Sequence, residues 1–152
     1  MDIEEMLARE EIRQRMSEYA YFNDILDADN FASVFAKDGI FEGPITFVKG
    51  REEIVNWKRN NKVLQANGPR PEYVRHHIGT QYIVVTGDTA QATTYWHVQT
   101  DVGLDHTGFY EDDFVREDGS WRIAHRRVRV KWRAENSCLS PKAIKRAEEP
   151  SA

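Results

Sequence analysis

Apolar residues recur early in the chain at Ile12, Met16, Tyr19 and Leu26, the spacing of one helix face, and Asp2 with Glu5 three positions later forms a capping-box pattern. This predicts a long first helix. Asp29 or Asn30 can cap a short second helix carrying Phe31, Val34 and Phe35, with Lys37-Asp38-Gly39 as its stop. Ile40-Phe41-Glu42 then begins a strand, and Thr46-Phe47-Val48 is its expected hairpin partner. A third helix carries Ile54, Trp57, Asn61 and Leu64 on one stripe, and Asn67-Gly68-Pro69-Arg70-Pro71 reads as a loop. Beyond that loop the period changes to two. It predicts strands over 73–86, 89–101, 105–117 and 120–134, with tight turns at Gly87-Asp88 and Asp118-Gly119.

Helices first and a strand meander afterwards predict an α+β protein: a curved antiparallel sheet wrapped around the N-terminal helices, a cone-shaped α+β barrel. Such a cone has an interior, and a pocket forms where one end stays open. The predicted pocket domain spans 1–135. Residues 136–152, charged and with two prolines, form a C-terminal tail, either mobile or packed as an arm.

Composition narrows the partners. A net charge of −4 argues against nucleic acid and leaves a small molecule as the expected ligand. The longest apolar run, Tyr82-Ile83-Val84-Val85, falls far short of the roughly 20 residues of a spanning helix. The opening Met-Asp-Ile-Glu-Glu has neither the basic nor the apolar region of a secretory signal, so no membrane partner and a cytoplasmic location are expected. Cys138 is the single cysteine and no His-Glu-x-x-His spacing occurs, so neither a metal nor another cofactor is expected.

Candidate chemistry lies on the inward faces. At about 100° per residue from Ile12, Asn23 falls near 20° and Asp27 near 60°, beside Met16 on the apolar face. Asp27 then either aims a carboxylate into the space between helices and sheet or caps the turn with Asp29 and Asn30. In the strand that follows, alternation puts His76 with Val74, Ile78, Tyr82 and Val84 on the apolar face, and His77 with Arg75 and Gln81 on the other. His97 falls on a polar strand face and His106 near a turn. The strand Arg122–Arg133 is rich in arginine. With Asp118-Gly119 as its turn, Asp112 is expected opposite His125 and Glu111 opposite Arg126, and the phase change between Ile123 and Val128 predicts a bulge near His125 to Arg127.

Three motifs in this order, Leu26-Asp27 with Asn30-Phe31, Arg75-His76-His77-Ile78-Gly79, and Asp118-Gly119-Ser120-Trp121-Arg122-Ile123, resemble the SnoaL-like branch of the nuclear transport factor 2-like superfamily over about residues 9–134. The resemblance implies catalysis by Asp27 and His76, the histidine removing a proton from the substrate, with Arg129 (or Arg127) near the leaving group. Where related enzymes carry a tyrosine or lysine donor, this chain has Phe22. The implied activity is that of a cofactor-independent lyase of the dehydratase kind, or an isomerase. Its substrate would be a small cyclic or aromatic compound in a pocket lined by Phe22, Asn23, Tyr82, Trp96, Tyr110 and Arg127. The alternative is a non-catalytic ligand-binding protein, or a partner resembling a dioxygenase β subunit. Either way the resemblance implies a homo-oligomer, a trimer or dimer.

Overall fold

The chain order of the computed structural model, which describes residues 1–144, is α1 (Ile3–Asp24), α2 (Ala28–Ser33), β1 (Phe35–Glu42), β2 (Phe47–Lys49), α3 (Arg51–Asn60), β3 (Val74–Thr86), β4 (Thr89–Thr100), β5 (Gly103–Glu117) and β6 (Ser120–Arg133). Asp2 caps α1 as expected, its side chain accepting from the Glu5 amide at 2.8 Å. Ile12, Met16 and Tyr19 form its buried stripe against the sheet. Among the described residues, no helix is long and apolar enough to cross a membrane.

The six strands form one curved sheet in the order β2-β1-β6-β5-β4-β3. It is mixed and not wholly antiparallel, because β1 joins β6 in the parallel sense. Both predicted hairpins are present: Thr86 pairs with Thr89 around Gly87-Asp88, and Glu117 with Ser120 around Asp118-Gly119. The second helix is shorter than expected, since Phe35 already opens β1. Gly39, read as a helix stop, instead serves the irregular stretch between Phe35 and Ile40. A Cβ there would meet the carbonyl oxygens of Ala36 and Ile123 at 2.9 Å, so only glycine permits this approach of β1 to β6.

Two register shifts decide which side chains face inward. In β3, Gly79 and Thr80 lie opposite a single residue of β4, a bulge that reverses the alternation. Gln81, Ile83 and Val85 therefore point inward, while Tyr82 is 64% exposed and does not line the pocket as predicted. In β6 an extra residue between Ile123 and His125 moves the pairing by one: Asp112 faces Arg126 and Glu111 faces Arg127, with His125 opposite Asp113. The expected bulge exists, and it displaces the pairs predicted for Asp112 and Glu111.

The consequence is an ion pair in the core. Arg126 and Asp112 are buried and joined by two hydrogen bonds of 2.8 and 2.7 Å, and the guanidinium lies 4.1 Å from the Tyr19 ring centre and 3.9 Å from that of Tyr110. Burial alone would lower the Arg126 pKa, but the Asp112 carboxylate more than restores it and keeps the arginine charged. The first part of the predicted tail is a packed arm: Cys138, Leu139 and Ala143 are buried, and Arg133 donates to the Leu139 carbonyl at 2.9 Å. Residues 145–152 of that tail lie outside the described residues.

Removing one partner of a buried pair strands the other charge. Arg126→Met is therefore expected to cost about 3–5 kcal/mol in urea unfolding. Replacing both residues, in Arg126→Met with Asp112→Leu, should recover much of that loss.

Candidate active site

Between the helices and the concave sheet face lies a cavity of about 360 Å³, within the range of small-molecule sites. Phe31, Phe41, Trp57, Trp96, Tyr110 and Val128 give it an aromatic and apolar wall. Asn23, Lys58, Arg59, Arg70, His76 and His106 are among its polar groups.

His76 enters the cavity as the strand pattern predicted, while His77 faces out and stacks on His97 at 4.9 Å. Its carboxylate partner is Asp24 and not Asp27. Asp24 accepts the His76 Nδ1 hydrogen at 2.6 Å and the His76 backbone N–H at 3.0 Å. The prediction extended the helical projection too far. The helix ends at Asp24, Leu26 takes the left-handed conformation at φ 61°, and the chain turns before Asp27. Asp27 instead caps α2. It accepts from the Asn30 amide at 3.0 Å and the Asn30 side chain at 2.7 Å, which hold its carboxyl below the usual range.

Hydrogen-bond direction around His76 follows from its neighbours. A lysine ammonium can only donate, so the 2.6 Å contact from Lys58 Nζ fixes Oδ1 of Asn23 as the acceptor. The Asn23 amide nitrogen then faces His76 Nε2 at 3.3 Å and donates to it. Nε2 is thus the unprotonated ring nitrogen and Nδ1 carries the hydrogen given to Asp24. Burial lowers the His76 pKa, and the bond and charge of Asp24 offset this only in part. The ring stays neutral at neutral pH. Burial, helped by the charge of Arg70 and opposed by Asp24, also brings Lys58 down to about 8.

A second buried pair lies in the same wall. His106 Nδ1 is 2.7 Å from Asp105 Oδ1, and Asp105 also accepts from the hydroxyls of Thr100 and Ser137 and the Cys138 amide. Burial would raise the Asp105 pKa, but these donors hold the carboxyl well below its usual value. Asp105, His106 and Cys138 are close enough to share a metal ion. Burial with the adjacent Asp105 pushes the Cys138 thiol up to about 12. The hydrogen bonds of Asp105 to Ser137 and Cys138 anchor the C-terminal arm.

Of the predicted pocket residues, Asn23, His76, Trp96 and Tyr110 line the cavity. Phe22 does not. It packs partly buried against the core edge, 5.5 Å from Tyr21. Arg129 and Arg127 also lie outside, since the β6 bulge turns Arg126 inward. Arg129 pairs with Glu111 at 3.3 Å and Arg127 with Asp113 at 3.1 Å. Sequence reading missed Asp24, Lys58, Arg70 and His106. Asp24 sits three residues before the residue chosen, and the stripe that continues to Leu26 hid the end of the helix there. Lys58 and Arg70 carried no signal, because a basic residue on a helix or in a loop looks solvated.

A SnoaL-like domain matches residues 4–127. Among solved structures, Rv3472 of Mycobacterium tuberculosis, a protein of unknown function, is 25% identical, with a TM-score of 0.73 over 91% of this chain and 80% of that one. An NTF2-like protein with a cystatin-like fold from Novosphingobium aromaticivorans is 26% identical (TM-score 0.71, 82% of each chain). A candidate scytalone dehydratase from the same organism is 22% identical (TM-score 0.67, 95% of each chain), a likeness of fold alone. Comparison with curated proteins gives no match. With most of its length covered by that domain and the same cone seen in these structures, the chain belongs to the SnoaL-like family.

Proposed function

We propose that this protein is a cofactor-independent lyase of the dehydratase kind, or an isomerase, that removes a proton from carbon in a small cyclic or aromatic compound. The observation that supports this most is the directed chain Lys58 to Asn23 to His76 to Asp24, which leaves the Nε2 lone pair of a neutral histidine at the cavity wall. Asn23 donates to that lone pair through a long contact, so an acidic C–H can displace it at little cost. As the proton arrives, Asp24 stabilises the imidazolium. The Asn23 amide and Lys58 then face the developing enolate or leaving oxygen, the role first expected of Arg129. His106, the other imidazole at the wall, is the second group able to exchange a proton, and Asp105 orients it.

The outer sheet face exposes Tyr82, Val84 and Tyr95, apolar area that supports the expected homo-oligomer. Sedimentation velocity would read its size.

Proton abstraction is testable before any leaving group is known. In D2O, cyclic enones and aromatic ketones with an acidic C–H should gain deuterium in the presence of the protein, followed by mass spectrometry. His76→Ala should lower the exchange rate by about 10²–10⁴-fold. Exchange that survives this change at full rate would eliminate the base and favour a purely ligand-binding protein.

The pH profile separates proton transfer from structure. The base works only when neutral, and its pKa is depressed, so the acid limb of kcat should lie below the ordinary histidine value of about 6.5. Asp24→Asn removes the group that raises the His76 pKa. It should move this limb to still lower pH while reducing kcat more than it raises KM.

A further inference from the structure

We propose that the cavity is built for a substrate bearing a carboxylate, which Arg70 receives with Lys58 beside it. The inference deepens the lyase or isomerase reading by naming the class of compound, and it rests on that reading only for the chemistry that follows binding.

The charge of the cavity is opposite to that of the chain. The chain carries 25 acidic residues against 21 lysines and arginines, yet among the described residues no Asp or Glu lines the cavity. Lys58, Arg59 and Arg70 all do. Asp24 and Asp105 stand behind His76 and His106 and are hydrogen-bonded to them, and Asp112 is paired with Arg126. Arg59 is satisfied by Asp29 at 2.8 Å, and Lys58 spends its 2.6 Å bond on a neutral amide.

Arg70 has no such partner. Its Nη2 is buried without a hydrogen bond, and neither an ion pair nor a side-chain hydrogen bond ties down its guanidinium among the described residues. The same wall holds a second unmatched donor, the buried indole N–H of Trp96. Buried donors without acceptors are costly, and a donor surplus at a cavity wall is complementary to an acceptor-rich, negatively charged guest.

The backbone also positions Arg70. Arg70 stands between Pro69 and Pro71, which restrict the backbone on both sides. Its loop is fastened to the C-terminal arm, since the Ala66 amide donates to the Cys138 carbonyl at 3.1 Å and the Asn67 side chain donates to the Ser137 carbonyl. That arm is held in turn by Asp105. A planar fork of donors carried on a held loop suits bidentate capture of a planar carboxylate beside an aromatic wall.

Calorimetric titration of the whole protein tests this with benzoate, 1-naphthoate and cyclohexanecarboxylate against the matching carboxamides. The acids should bind at least about 10-fold more tightly than the amides. Arg70→Gln should weaken the acids by about 10–100-fold and leave the amides nearly unchanged. Arg70→Lys should recover part of the loss, which a misfolded loop would not do. Equal binding of acids and amides, no binding of any acid, or an Arg70→Gln protein that still prefers acids would each overturn the proposal. His76→Ala should keep the preference, because it removes the base and not the anion site. Cyclic keto acids, which carry both a carboxylate and an acidic C–H, separate the two readings. If they bind but exchange no deuterium, the lyase reading fails and the anion site stands. If they exchange while acids bind no more tightly than amides, the anion site fails and the lyase reading stands.

Discussion

A fully buried ion pair sets the geometry of this protein. Arg126 of β6 and Asp112 of β5 lie behind the cavity wall, and the guanidinium packs in the corner formed by the rings of Tyr19 from α1 and Tyr110 from β5, which meet edge to face. A desolvated charge tolerates little change of geometry, so this contact fixes the rotation of α1 against the sheet as well as its distance. Asn23 lies four residues beyond Tyr19 on the same helix face, and Asp24 follows it. Packing Tyr19 on the arginine therefore aims Asn23 at the cavity and brings Asp24 to His76 on β3. The arrangement of the candidate site inherits its register from a structural one.

The cavity also has a consistent layering of charge. Each imidazole in the wall faces inward and has a carboxylate on its Nδ1 side, Asp24 for His76 and Asp105 for His106. This keeps negative charge one shell away from the ligand while fixing the tautomer of both rings. The two carboxylates also bind the fold together. Asp24 accepts a backbone amide of β3 and so joins α1 to the sheet, and Asp105 gathers hydroxyl and amide donors from β4 and the C-terminal arm.

Much of this was legible in the sequence, and the failures have a common cause. The period change after the proline-containing loop, the two tight turns, the Asp2 cap and the inward phase of His76 all follow from local patterns, and the structure agrees with each. Errors begin where a regular element was projected through an irregularity. Leu26 adopts a positive φ with no glycine to announce it, so α1 seemed to continue to Asp27. The Gly79-Thr80 bulge reverses β3 and turns Tyr82 outward, although His76, which precedes it, keeps its face. The β6 bulge was visible as a broken alternation, but not its position, and one residue of uncertainty exchanged Arg127 and Arg129 for Arg126.

The groups that no pattern could reveal are those supplied by tertiary placement. Lys58 sits in the last turn of α3, where a lysine ordinarily faces water and complements the helix dipole, and here it is folded over the Phe31 ring at 5.2 Å and against Asn23. Arg70 belongs to a loop whose position depends on the arm that follows β6, more than sixty residues later. Both cations give up solvation that a surface position would have kept, and the charge of Asp24 offsets this only in part at Lys58. Each is placed by contacts far away in sequence, Lys58 by Asn23 and Phe31 and the Arg70 loop by the C-terminal arm, so no local pattern marks either.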